Sequence, residues 1–191
     1  PAIARTLFNH LAALTLAVAA LLASAEAWAD PPGRVGRIAD AIGTVWMFDA
    51  EQGEWIAAPR NRPLSGGDRL SVGPDSLAEL QIGSATVRLD GGTELEVTQL
   101  DDDRVRLHLH HGSLALRLHR HASVREFEVA TSEGRFEPLR SGHYRIDQQE
   151  NGSFGAVIVG AMRFVAHDSE LEVNAGQRGL AAPQRIATAL D

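Results

Sequence analysis

An all-β fold, either an antiparallel two-sheet sandwich or a solenoid-like stack of short hairpins, is predicted by three observations. Between Pro63 and Arg120 apolar and polar residues alternate in short runs, each closed by a turn bearing Gly or Asp. Further apolar runs follow about every 8–12 residues, the strand spacing of small β domains. Helical patterns are confined to the two ends: an apolar run near the N-terminus and the last ten residues.

Taken in order, Pro31-Pro32-Gly33 is a linker, and Val35 to Phe48 reads as one or two strands interrupted at Gly43. Ile42, Val45 and Met47 fall on one face of it, Trp46 and Phe48 on the other. Residues 51–54 form a turn before the short strand Trp55-Ile56, and a loop through Asn61 to Asp68 leads into Arg69 to Val72. The ladder follows. Ala78, Leu80 and Ile82 alternate up to the Gly83-Ser84 turn, and Ala85, Val87 and Leu89 continue beyond it. Val105, Leu107 and Leu109 repeat the pattern, as do Leu114, Leu116 and Leu118 after His111-Gly112. If His111-Gly112 is a two-residue hairpin loop, Gly112 needs a positive φ. Leu109 then faces Leu114, and Arg106 faces Arg117. These apolar residues should share one buried face, because a one-residue slip would expose every one of them.

Phe127–Val129, Phe136–Leu139, Tyr144–Ile146, Phe154–Val159, Met162–Ala166 and Leu171–Val173 extend the β pattern, with residues 148–153 as a hairpin loop. Residues 35–180 thus make one β domain behind a linker at 30–34. A faint internal echo relates Gly43 to Phe48, Trp55 and Gly67-Asp68-Arg69 to Gly160 to Val165, Leu171 and Gly176-Gln177-Arg178. It suggests that the two ends of the domain pack as equivalent layers.

The net charge of −7 gives no electrostatic basis for nucleic-acid binding. The absence of Cys removes disulfides, thiol catalysis and thiolate metal sites. Arg5 and His10, the apolar run Leu11 to Ala25 and the A-x-A site Ala27-Trp28-Ala29 match a secretory signal peptide over residues 1–29, cleaved after Ala29. The run is shorter than the ~20 residues of a spanning helix. A periplasmic or secreted protein is therefore expected, with no stable membrane span once the signal is removed; an uncleaved segment would instead serve as an anchor.

The corner and ladder motifs resemble the FecR-like domain. They are Gly43-Thr44-Val45, Trp55, Gly67-Asp68-Arg69-Leu70, Pro74-Asp75-Ser76, Ala78 to Ile82, Val87-Arg88-Leu89, Gly91-Gly92-Thr93 and Gly112-Ser113-Leu114. Phe127-Glu128-Val129, Gly142-His143-Tyr144-Arg145 and Ala175-Gly176-Gln177 complete the set, which spans roughly Arg34 to Arg178. The match most resembles exported FecR-domain proteins whose domain precedes a Trp-rich region of unknown function. Residues 181–191 would then begin a linker or helix toward such a region. FecR relatives that regulate sigma factors carry a cytoplasmic domain ahead of a membrane helix. Here ten residues precede the apolar run, which favours the exported type.

No nucleophile elbow, phosphate loop, H-E-x-x-H or G-x-G-x-x-G motif occurs. No catalytic residue, cofactor or metal site is assigned. Asp101-Asp102-Asp103 lacks the alternating ligands and Gly of a calcium loop and reads as a solvated turn. Glu94 and Glu96 share a strand face with no pocket to make them an acid and a base. The unusual constellation is basic: residues 104–125 hold five Arg and no acid, a formal +5 that leaves −12 elsewhere (−7 less +5). His108, His110, His111, His119 and His121 accompany them, yet zinc requires three or four ligands converging on one point. The candidate site is an anion-facing patch of Arg106, His108, His110 and Arg117 on the outside of the presumed hairpin. An envelope protein or an anionic envelope polymer is the partner expected of a non-enzymatic binding or scaffolding module. The alternative is the sensory domain of a membrane-anchored, sigma-factor-regulating protein.

Overall fold

The computed structural model describes residues 36–49, 52–119, 124, 126–166, 169–182 and 185–190. The expected signal peptide and linker lie outside them, as do Arg120, His121 and Arg125. The chain runs through seventeen strands in these residues. The first eight are β1 (Gly36–Ile42), β2 (Val45–Asp49), β3 (Glu54–Ala57), β4 (Pro63–Leu64), β5 (Arg69–Val72), β6 (Leu77–Ile82), β7 (Ala85–Leu89) and β8 (Glu94–Leu100). The long central strand is β9 (Val105–Leu118). Then come β10 (Phe127–Ala130), β11 (Arg135–Pro138), β12 (Gly142–Gln149), β13 (Gly152–Val159), β14 (Ala161–Val165), β15 (Glu170–Asn174), β16 (Gln177–Ala182) and β17 (Arg185–Leu190).

Two sheets share β9. Sheet A runs β4–β1–β6–β7–β9–β12–β13–β16–β17 and is antiparallel throughout. Sheet B runs β3–β2–β5–β8–β9–β10–β11–β14–β15, with β9–β10 as its parallel pair. The chain visits the sheets alternately, usually one hairpin at a time, which gives the all-β, solenoid-like path expected. The inward residues of both sheets form one core, among them Leu80, Ile82, Val87 and Leu89 from sheet A and Leu70, Leu95 and Val97 from sheet B, all at most 1% exposed.

The expected hairpin at His111-Gly112 is not there. β9 passes through that point without turning, pairing with β8 and β10 before it and with β7 and β12 after it. Leu109 faces Leu95, and Leu114 faces Leu89 and Ile146, so the leucines do not face each other across a hairpin. Val105, Leu107 and Leu109 are buried on the inner face of sheet B, and Leu114, Leu116 and Leu118 on that of sheet A. The reason is a β-bulge. Glu94 pairs with His111 and Leu95 with Leu109, leaving His110 as the extra residue. Gly112 does have the expected positive φ, 92°. Here that conformation bends a strand from one sheet into the other. Buried Thr93 holds the bend: the Ser113 N–H donates to its Oγ1 (3.0 Å), and its hydroxyl donates to the Ser113 carbonyl (3.1 Å).

Other expectations shift in detail. The β12–β13 loop is shorter than residues 148–153, because Gln149 already pairs with Gly152. Ile42 is 57% exposed and leaves the face of Val45 and Met47. The helix-prone end at 186–190 is strand β17, hydrogen-bonded along β16. Pairing with an open sheet edge outweighs a weak local preference, and Ile186 and Thr188 are β-branched. The internal echo is half realised. β2–β3 and β14–β15 are hairpins at opposite edges of sheet B, each entered through a glycine with positive φ, Gly43 or Gly160. The two following corners diverge, since Arg69 enters β5 in sheet B and Arg178 lies on β16 in sheet A.

Candidate functional site

The bulge divides the sequence-predicted patch. Arg106, His108 and His110 lie on the outer face of sheet B, whereas Arg117 lies on the outer face of sheet A. Arg106 does not face Arg117. It sits opposite Gln99 of β8 and Glu128 of β10, while Arg117 sits between Thr86 of β7 and His143 of β12.

On sheet B the neighbouring strands bring carboxylates to the cations. Glu96 accepts from Arg69 (3.2 Å) and bonds His110 (2.9 Å), and Glu128 is 3.8 Å from Arg106. The series continues through Arg135–Glu137 (2.7 Å), Arg163–Glu137 (2.9 Å) and Arg163–Glu170 (3.8 Å). Each such half-exposed pair stabilises by roughly 0–1 kcal/mol. Their main effect is to leave little unbalanced charge for an external anion. His108 and His110 stack at 4.3 Å, and among the described residues no group of three or more His, Cys, Asp or Glu could hold a metal ion. Asp101 closes its turn by accepting the N–H groups of Asp103 (3.0 Å) and Arg104 (2.7 Å), which gives that acidic run a local structural role.

Burial, and then the neighbouring His110, hold the His108 imidazole below its ordinary value near 6.5, so it resists the charging that a pH-strengthened anion contact would need. The hydrogen bond from His110, joined by Arg69, holds the Glu96 carboxyl below its usual range. Both shifts act in one direction. Below pH about 6.5 the unfolded chain takes up a proton that folded His108 refuses. Further down, the unfolded chain protonates Glu96 before the folded one does. Stability should therefore fall on the acid side, from about pH 6.5 through the carboxylate range. Melting temperatures measured from pH 7.5 to 4.5 should show a shallower loss in His108→Gln between 6.5 and 5.5. An unchanged slope there would remove His108 from this account.

Sheet A differs. On its outer face a groove of about 480 Å³ lies over Ala115, walled by Arg88, Arg117, His119, His143, Arg145 and Ile158. Arg88 is held by Glu79 (2.8 Å), and Arg145 by Asp90 and Asp147 (3.0 Å each). Arg117, which is exposed, has no ion pair among the described residues. Ile158 is 58% exposed beside it. Alternation alone places Arg88 and Arg145 outward on their strands. Their convergence with Arg117 depends on cross-strand register, which the sequence does not state.

No protein-family model matches the sequence, and no curated protein matches it. The fold is similar to two crystal structures, at 2.50 and 1.65 Å resolution, of a protein from Parabacteroides distasonis described as "a putative anti-sigma factor". Each superposes with a TM-score of 0.55 at 14% identity, covering 64% of this chain. The match spans 59% of that protein's length, less than two thirds. At this identity the likeness establishes the shared all-β architecture and leaves activity open.

Proposed function

We propose that this chain is a FecR-like, exported and non-enzymatic binding or scaffolding module of the bacterial periplasm or cell envelope, and that it contacts anionic partners through sheet A. One observation carries the reading: among the described residues Arg117 has no ion-pair partner, on a face where the neighbouring Arg88 and Arg145 are held by acids. The signal-like N-terminus supports export, and the motif set from Gly43 to Gln177 supports the FecR-like assignment. Arg117→Ala should weaken binding to anionic envelope components about fivefold to tenfold, the ~1–1.4 kcal/mol net of one solvent-exposed hydrogen bond. Arg106→Ala should change it less than twofold, because Glu128 already faces Arg106. The reverse ranking, or equal and salt-insensitive binding by both variants, would refute the reading. The likeness to the Parabacteroides distasonis protein favours a second reading, a periplasmic sensory domain of a membrane-anchored, sigma-factor-regulating protein. Intact mass of the exported protein separates the two, since an anchor retains residues 1–29.

A further inference from the structure

The cross-strand register of sheet A sets up a row that no single strand contains. Reading across neighbouring strands, Glu79 faces Arg88, Arg88 faces Ala115, and Ala115 faces Arg145. Arg145 then faces Ala156, and Ala156 faces Arg178. All six side chains point away from the core, because their chain neighbours Leu80, Leu89, Leu116, Tyr144, Val157 and Gly179 are buried. Arginine and alanine thus alternate over five strands. With strands about 4.8 Å apart, Arg88, Arg145 and Arg178 recur at roughly 9.6 Å, and each gap between them has a methyl group as its floor. Arg117 stands one row above the first gap, and Ile158 flanks the second from β13, offering apolar surface beside the charges.

We infer that this row binds an acidic polysaccharide laid across the strands, with a carboxylate on alternate sugars. The inference rests on the anion-binding reading of sheet A and names its ligand. The repeat of the arginines is comparable to the length of a disaccharide, so successive carboxylates meet successive guanidiniums while the intervening sugars rest over Ala115 and Ala156. Guanidinium is the side chain suited to planar, two-point recognition of a carboxylate. An acidic peptide lying along a strand does not fit, because the outward residues of β9 on this sheet are Ser113, Ala115 and Arg117, with a single arginine among them. The acids that now hold Arg88 and Arg145 form half-exposed pairs of the weak, exchangeable kind.

The probe is hyaluronan, which has one carboxylate per disaccharide, with dextran, polyphosphate and anionic phospholipid vesicles as comparisons. Titration should show hyaluronan oligosaccharides binding more tightly as they lengthen from four to eight sugars, and dextran not binding. Ala156→Leu fills a gap without changing charge and should weaken the octasaccharide at least fivefold. Ala156→Ser leaves the gap open and should bind as wild type, and thermal melts would verify that both variants fold. If polyphosphate or vesicles bind and hyaluronan does not, or if Ala156→Leu binds undiminished, the polysaccharide inference fails while the anion-binding reading stands. If no anionic probe binds, both fail.

Discussion

Replacing Gly112 with alanine should destabilise the fold by about 3 kcal/mol or more, the sum of backbone strain of order 1–3 kcal/mol and overpacking of similar size. Its φ of 92° is one that residues with a Cβ rarely adopt. A Cβ there would also lie 2.5 Å from both the Cα and the Oγ1 of Thr93, the residue that holds Ser113 at the sheet crossing. The backbone of Thr93 is fixed by pairing around it, so the clash has no easy relief. For a domain of this size the change should lower the melting temperature by about 6–12 °C, at roughly 2–4 °C per kcal/mol. Gly53→Ala is the control, because a Cβ at Gly53 meets nothing within 4 Å although its φ is also positive, 71°. That variant should show the strain without the clash. If Gly112→Ala loses no more than Gly53→Ala, Thr93 does not brace the crossing.

The same glycine shows where reading the sequence stops. Gly83 and Gly112 occupy similar contexts: an alternating run, a short break with a positive-φ glycine, and a second run in the opposite phase. At Gly83 the chain turns back, and Ile82 pairs with Ala85. At Gly112 the same phase change comes from a bulge in a strand that continues. A hairpin and a bulge each shift the side-chain phase by one residue, so alternation cannot separate them. Burial, strand existence and the all-β class were legible because they depend on local periodicity. Which strands adjoin depends on contacts remote in sequence, and those contacts decide the site. Alternation therefore places Arg106 opposite Arg117 and gives no sign that Arg88, Arg117 and Arg145, drawn from three strands, form a group.

Glycines inside strands were similarly opaque, and they shape the core between the sheets. Gly155 and Gly179 pair directly across β13 and β16, and both are buried. A Cβ on Gly155 would lie 2.5 Å from Phe136 Cε1 and 2.6 Å from Met162 Cε, and one on Gly179 would lie 2.8 Å from Val173 Cγ2. The missing side chains on sheet A thus make room for large ones on sheet B. There Phe136 and Phe164 pack at a ring separation of 4.6 Å, each 1% exposed. Phe136→Ala should cost about 3–5 kcal/mol, the usual loss for emptying a buried aromatic site. Gly155→Ala should cost about 1–3 kcal/mol for the opposite reason, because the ring is braced by Phe164 and cannot retreat. If the two residues form one complementary contact, their effects are coupled. Phe136→Leu shortens the side chain at the point of collision, so the double variant Gly155→Ala, Phe136→Leu should be more stable than the two single losses added together, by about 0.5 kcal/mol or more. Denaturant unfolding of the four proteins measures that coupling directly. Strict additivity would mean that Gly155 is tolerated in the strand for a reason other than the phenylalanine it faces.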